Sequence, residues 1–133
     1  MRRRIFIIDD HRDFSLALGL VFEASGEMQV CGTAADIPDA LQLLPGAGAE
    51  LVTLDVNLPS GSGLDHLKEL GVSAHSVPFL VISHEEPSRS AILARDAGAA
   101  GFLRKGAHPT KIVEVAKVVL AGGRYFPDAP GEG

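Results

Sequence analysis

The sequence has little of several features that identify other classes of protein. With one cysteine, Cys31, in 133 residues, it forms no internal disulfide and no CxxC metal site, which fits a reducing compartment. The apolar run at residues 5–8 ends at Asp9-Asp10 and is too short for a signal peptide core. Every other apolar run is also far below the roughly 20 residues of a membrane span. The 12 basic residues are outnumbered by 17 acidic ones, which disfavours direct nucleic-acid binding. The sequence predicts a soluble, cytoplasmic chain.

The composition and length are those of one packed domain. Hydrophobic residues make up 46% of the chain and charged residues 22%, which argues against disorder. A chain of 133 residues has room for one hydrophobic core rather than two.

Short apolar strands alternate with helical segments along the chain. Near-continuous apolar runs predict five strands, at residues 4–8, 28–33, 50–55, 78–82 and 100–104. Five helices are predicted at residues 12–25, 37–44, 63–71, 88–97 and 109–121. Asp36 is a candidate cap of the second helix, Pro45-Gly46 is expected to end it, and Pro59 and Gly61 predict a loop after the third strand. The alternation predicts an α/β domain with a parallel five-stranded sheet between two helical layers.

Polar residues stand where the predicted strands end, which is where parallel α/β sheets carry their working sites. They are Asp9, Asp10, Asp55, Ser83 and Lys105. Two carboxylates about 4 Å apart repel by roughly 4 kcal/mol at an effective dielectric near 20, so such a cluster keeps a proton or recruits a cation. Carboxylate ligands suit Mg²⁺, and with that charge offset Asp55 is a candidate nucleophile toward a phosphoryl group.

Four blocks of sequence carry a resemblance to a known family. IFIIDDH, LVTLDVNLPSGSGLD, FLVIS and GAAGFLRK follow one another in the order found in the receiver domain of bacterial two-component response regulators, which this chain resembles over nearly its whole length. The resemblance implies a doubly wound (βα)5, flavodoxin-like fold with strand order 2-1-3-4-5. It also implies a sensor histidine kinase as phosphoryl donor. GAAGFLRK together with VLAGGRYFP resembles the subgroup whose receiver precedes a helix-turn-helix DNA-binding domain.

The resemblance implies roles for the acidic residues and their neighbour. Asp55 corresponds to the phosphoacceptor and is also a metal ligand. Asp10 corresponds to the principal Mg²⁺ carboxylate, with Asp9 in support, and Asn57 would offer its backbone carbonyl to the metal. His11, next to Asp10, invites a metal-binding or phosphorelay role. That role is disfavoured at this stage because no second histidine is placed to help.

The resemblance also implies phosphoryl-binding and switch residues. Lys105 would pair with the phosphoryl group and Ser83 would donate its hydroxyl to it. Phe102 occupies the aromatic switch position and is expected to turn inward as Ser83 moves. His84, directly after Ser83, is bulkier than the small residue of many relatives, so we expect it either to restrict access to Asp55 or to alter the lifetime of the phosphate.

Domain limits and alternatives complete the predictions. Residues 1–124 are predicted to form the receiver domain, and residues 125–133 a linker toward a C-terminal output domain outside this chain. A homodimer is a further expected partner, and no turnover of an external substrate is expected. Two alternatives stay open: a Mg²⁺-dependent phosphohydrolase with an aspartyl-phosphate intermediate, and a receiver-like binding module that is never phosphorylated. Asn57 disfavours the first, since such enzymes commonly have an acid there, and the set of Asp10, Asp55 and Lys105 disfavours the second.

Overall fold

A parallel sheet forms the middle layer of the structure, a computed structural model that describes residues 1–127. Its five strands, β1 to β5, are Arg3–Ile8, Met28–Ala34, Leu51–Leu54, Phe79–Ser83 and Gly101–Arg104. Numbered in this way, they lie in the order β2-β1-β3-β4-β5, and every neighbouring pair is parallel. The predicted flavodoxin-like fold is confirmed.

Five helices cover the two faces of this sheet. Helices α1 to α5 are Arg12–Ala24, Ile37–Ala47, Leu67–Ser73, Pro87–Asp96 and Pro109–Leu120. One core cluster joins the sheet to α2, α3 and α4, and the other joins it to α1 and α5. Along β1, Phe6 and Ile8 face the first cluster while Ile5 and Ile7 face the second. Burial on both faces explains why the strands read as continuous apolar runs.

The second helix begins at residue 37 as predicted but ends later than predicted. It continues through Pro45-Gly46 to Ala47, so the predicted stop was wrong. In the last turn a proline removes only one helical hydrogen bond, and the helix ends at Gly48, whose φ of 65° is left-handed. Asp36 is the N-cap residue, but its side chain makes no capping hydrogen bond. It accepts hydrogen bonds instead from the amide and the hydroxyl of Ser60, at 3.0 and 2.5 Å.

The segment after β3 is more ordered than the predicted loop. Asn57–Leu58 and Gly61–Ser62 form a short antiparallel pair, and a 3₁₀ turn at Gly63–His66 leads into α3. The helix predicted at residues 63–71 therefore begins as 3₁₀ and ends two residues later, at Ser73. Gly63 packs closely against the end of β3. A Cβ atom at this position would lie only 2.5 Å from the carbonyl oxygen of Asp55, so the position requires glycine.

The chain after α5 returns to the open edge of the sheet. Tyr125 pairs with Gly101 in parallel fashion. Its amide donates to the carbonyl of Ala100 at 3.0 Å, and its carbonyl accepts from the amide of Phe102 at 2.9 Å. Tyr125 thus pairs with β5 and Phe126 packs against the first core cluster, although the linker is predicted to begin at residue 125. Residues 128–133 of that linker lie outside the described residues. Within residues 1–127, no helix is long and apolar enough to cross a membrane.

Candidate functional site

Three charged side chains stand one residue beyond the carboxyl ends of β1, β3 and β5. Each is held there by a backbone hydrogen bond that continues the sheet. The amide of Asp9 donates to Ala34, that of Asp55 to Ile8, and that of Lys105 to Ser83, at 3.0, 3.0 and 2.9 Å. Since parallel strands end at the same edge of a sheet, the three side chains converge. The structure thereby brings together the predicted acidic residues and the predicted lysine.

The ammonium group of Lys105 lies between two carboxylates. Its Nζ is 2.7 Å from Oδ2 of Asp9 and 3.0 Å from Oδ2 of Asp55. It also lies 4.7 Å from the ring centroid of Phe14, which adds a cation–π contact. All three charged side chains are nearly inaccessible, with 1% of Lys105 and 3% of each aspartate exposed. Their charges therefore interact with little screening by water.

Asp55 is held in an environment that disfavours its charge. Burial, together with repulsion from Asp9, raises the pKa of its carboxyl group above the ordinary value. The hydrogen bond and the charge of Lys105 act in the opposite direction without cancelling the increase. One ammonium is thus too little to offset the carboxylates around it, and a further cation would stabilise their ionised forms.

The donor atoms at this edge suit a small divalent cation. Asp9, Asp10, His11 and Asp55 can each bring one ligand atom to within 4.8 Å of the others. Asp10 is 34% exposed, so the cluster is open to solvent on that side. Carboxylate oxygens are the ligands that Mg²⁺ takes in proteins. The side chains present therefore fit the predicted Mg²⁺ site.

His11 lies in this cluster, although a metal-binding or phosphorelay role for it was disfavoured from the sequence. Its Nδ1 is 3.0 Å from Oδ1 of Asp9, 3.3 Å from Oδ1 of Asp10 and 3.5 Å from Oδ2 of Asp55. The only feature of the sequence that indicated a place for His11 in the site was its position next to Asp10. In the structure His11 is the extended residue that precedes α1. The absence of a second histidine was no guide to its position, because its partners are carboxylates and Lys105.

The predicted switch residues, Ser83 and Phe102, are both buried. Ser83 is fully buried at the end of β4, and its hydroxyl accepts a hydrogen bond from the amide of Glu85 at 3.2 Å. No hydrogen bond joins Ser83 to Asp55 in the part of the chain that the structure describes. Phe102 is likewise fully buried, within the cluster that includes α4. The switch roles of both residues stay predictions.

Glu85 joins two loops at the rim of the site. Its carboxylate accepts from the side-chain amide of Asn57 at 3.0 Å and from the hydroxyl of Ser90 at 2.8 Å. His84 beside it is exposed, and its ring meets that of His11 edge-on with 6.0 Å between centroids. Glu85 could not be predicted from the sequence, because a glutamate after a strand carries no signal of its own. The predicted metal contact of the Asn57 carbonyl stays a prediction.

Comparison with known proteins places these features in context. Residues 5–117 match the family model described as response regulator receiver domain. The transcription regulator BvgA of Bordetella pertussis is 32% identical over 127 residues, which cover 96% of this chain and 60% of BvgA. The chain thus spans less than two thirds of the length of that relative.

Two solved structures are similar to this chain in fold and sequence. A LuxR-family two-component response regulator from Aurantimonas has a TM-score of 0.87 at 25% identity, with 98% of this chain and 91% of that one covered. A response regulator from Burkholderia pseudomallei has a TM-score of 0.77 at 25% identity, with coverages of 90% and 69%. The latter contains a phosphorylated aspartic acid, a calcium ion and citrate.

Proposed function

Because this chain belongs to the family of response regulator receiver domains, we propose that Asp55 accepts a phosphoryl group from a sensor histidine kinase with Mg²⁺ as cofactor. The observation that carries the proposal is the convergence of three charged side chains at one edge of the sheet. Carboxylate oxygens of Asp9 and Asp55 both lie within 3.0 Å of the ammonium group of Lys105. The phosphorylated aspartic acid and calcium ion of the Burkholderia relative support this chemistry.

In the proposed transfer, a carboxylate oxygen of Asp55 attacks the phosphorus of a phosphohistidine. The P–O bond forms as the P–N bond breaks, and the electron pair of the broken bond stays on the imidazole nitrogen, which takes a proton from water. Lys105 is 3.0 Å from Oδ2 of Asp55, close enough to pair with an oxygen of the incoming phosphoryl group. Asp9, at 2.7 Å from the same ammonium, keeps that lysine in place.

The cation in this proposal is held by Asp10 and Asp55, with Asp9 in support and the backbone carbonyl of Asn57 as a further ligand. Mg²⁺ supplies positive charge that offsets the carboxylates and the phosphoryl oxygens. The raised pKa of the buried Asp55 supports a need for that charge. Ionised Asp55 is the nucleophile, so anything that favours its charged form also favours attack.

Phosphorylation would add about −1.5 to −2 charges at Asp55, as at other phosphorylated side chains. In this proposal the Ser83 hydroxyl leaves the amide of Glu85 and donates to the phosphoryl group, and the surroundings of Phe102 rearrange with it. The affected surface comprises α4, β5 and α5, and it would report the change to an output domain or to a second copy of the chain.

The output is proposed to be transcriptional and the location cytoplasmic. BvgA, of which this chain matches 60%, is a transcription regulator, and this supports a DNA-binding domain elsewhere in the protein. The genomic reading frame around this segment tests the proposal directly. A basic helix-turn-helix domain in the same frame is expected, and a frame that encodes no second domain would contradict it.

Phosphorylation itself is tested with acetyl phosphate or phosphoramidate and Mg²⁺, followed by intact-mass measurement. The wild-type chain is expected to gain one phosphoryl group, and Asp55→Asn to gain none. Asp96→Asn, an exposed aspartate at the end of α4, is the matched control and should be labelled like wild type. Labelling that persists in Asp55→Asn would overturn the assignment.

The phosphohydrolase alternative is not favoured. Asn57 stands where such enzymes commonly have a second acid, and a side-chain amide does not release its proton as a general acid does. This amide is instead hydrogen-bonded to Glu85. We therefore propose that the chain promotes its own phosphorylation and dephosphorylation without turnover of external phosphate esters. Steady hydrolysis of a generic phosphate ester that depends on Asp55 would contradict this.

A further inference from the structure

One ring nitrogen of His11 has more charged neighbours than it can form hydrogen bonds with. Its Nδ1 has an oxygen of Asp9, Asp10 and Asp55 at 3.0, 3.3 and 3.5 Å, and the ammonium of Lys105 at 3.0 Å. A ring nitrogen either donates one hydrogen or accepts through one lone pair. It therefore satisfies at most one or two of these four neighbours.

The common feature of the cluster is a cation surrounded by donor atoms. Lys105 Nζ is 2.7 Å from Asp9, 3.0 Å from Asp55 and 3.0 Å from Nδ1 of His11. When an ammonium group donates to Nδ1, that nitrogen carries no hydrogen and its lone pair points toward positive charge. In this arrangement His11 and the carboxylates present lone pairs to the same region, as the ligands of a metal ion do.

The backbone holds His11 in this position. Its amide donates to Oδ1 of Asp9 at 2.8 Å, and the residue is the extended N-cap of α1. Its side chain is 53% exposed, while Nδ1 lies among the carboxylates. An ion arriving from solvent would meet His11 and Asp10 before the buried Asp9 and Asp55.

We propose that Nδ1 of His11 is a ligand of the divalent cation at this site, which makes it a mixed nitrogen and oxygen site rather than a purely oxygen one. The inference rests on the proposed function, since it concerns the same cation. Imidazole nitrogen suits first-row transition metals, whereas Mg²⁺ prefers oxygen. His11 therefore sets metal preference: the site favours Mn²⁺ over Mg²⁺ by more than its carboxylates alone would.

Pulsed electron paramagnetic resonance of bound Mn²⁺ tests the coordination directly. Electron spin echo modulation from a coordinated nitrogen is expected in the wild-type chain and is expected to be lost in His11→Ala. His84→Ala is the matched control, because its ring lies 6.0 Å from that of His11 but contributes no atom to the cluster. That variant should keep the signal. Asp10→Asn should lose most of the bound Mn²⁺, which assigns the signal to this site.

Metal titration supplies a second readout. His11→Ala is expected to lower the affinity for Mn²⁺ roughly tenfold, in the range found when a metal site loses a supporting group, and that for Mg²⁺ by no more than about twofold. Wild-type Mn²⁺ bound at Asp10 without nitrogen modulation would overturn the role of His11 and leave the proposed function intact. Failure of the wild-type chain to bind either metal would overturn the cation site, and with it both proposals.

Discussion

The two ends of the sheet carry charge in different ways. At the amino end, Arg3 pairs with Glu50 at 2.6 Å and Arg2 pairs with Glu23 at 3.0 Å, and between 39% and 45% of each side chain is exposed. At the carboxyl end, Lys105 pairs with Asp9 and Asp55, and at most 3% of each is exposed. One end therefore balances its charges in water, and the other concentrates unbalanced charge away from water.

This difference shows at which end of the sheet a further cation would be stabilising. Water screens the exposed ion pairs at the amino end, so little is gained there by binding a further ion. At the carboxyl end the ammonium of Lys105 pairs with both Asp9 and Asp55, and the more exposed Asp10 belongs to the same cluster. Buried charge without a full set of partners is typical of functional sites. It therefore indicates that the functional site lies at the carboxyl end of the sheet.

The largest difference between the two ends is expected for Lys105→Met, which keeps the length of the side chain and removes its charge. Two buried carboxylates lose their partner, and loss of one member of a buried ion pair costs about 3–5 kcal/mol. Urea unfolding with EDTA should show that loss in the free energy of unfolding, and saturating Mg²⁺ should restore part of it. Lys68→Met, at an exposed lysine on α3, is the control and should change stability little. A loss below about 1 kcal/mol would show that the pair is not effectively buried.

Asp55→Asn is expected to act in the opposite direction, with a gain of about 1 kcal/mol in unfolding free energy at neutral pH. Burial and repulsion from Asp9 raise the pKa of Asp55, so the folded wild-type chain binds that proton more tightly than the unfolded chain. Its contribution to stability is present below the ordinary carboxyl pKa of about 4 and is lost as pH rises through the raised value.

The gain from Asp55→Asn should accordingly be largest at neutral pH and shrink as pH falls toward about 4. Thermal or urea unfolding of both proteins across this range in EDTA measures the difference. Asp96→Asn, a change at an exposed residue, controls for net charge. Equal or lower stability of Asp55→Asn at neutral pH would mean that the bond to Lys105 outweighs the cost of burial.

Much of the fold and part of the site could be predicted from the sequence. The five strands follow from apolar runs such as residues 79–82, because burial on both faces leaves no polar alternation. Asp9, Asp55 and Lys105 follow from their places after those runs, since parallel strands end at one edge. These inferences need only local pattern and topology.

Other features depend on contacts that local pattern does not record. Pro45-Gly46 looked like a helix end, yet Gly48 ends the helix because the last turn tolerates the missing amide. Asp36 looked like a cap, but Ser60, distant in sequence, binds its carboxylate. His11 and Glu85 reach the site through contacts with residues distant in sequence, Lys105 and Asn57 respectively. Tertiary contacts of this kind override the local signal.

At the amino end, Glu50→Gln is expected to lower the free energy of unfolding by about 0.5–1 kcal/mol, within the range of exposed pairs. Burial alone would raise the pKa of Glu50, but the amide of Arg4 and the guanidinium of Arg3 outweigh it and lower the pKa. Its contribution is therefore present above the ordinary glutamate pKa and is lost as pH falls through the lowered value. The pH dependence measured for this variant should thus have the opposite sign to that of Asp55→Asn, and the same sign at both ends would contradict the comparison.

The smallest effect is expected for Lys117→Gln, which removes an ion pair with Glu27 that is shorter than either contact of Lys105 to an aspartate. The distance is 2.6 Å, but 50% of Lys117 and 55% of Glu27 are exposed. Exposed pairs of this kind contribute between about 0 and 0.5 kcal/mol, because water and salt screen them. Urea unfolding should place this variant within that range of wild type, with phosphorylation of Asp55 unchanged. If distance governed the energy, Lys117→Gln would be as damaging as Lys105→Met. A small loss beside a large one instead assigns the difference between the two ends to burial, and burial is also the reason why the proposed cation would stabilise the carboxyl end.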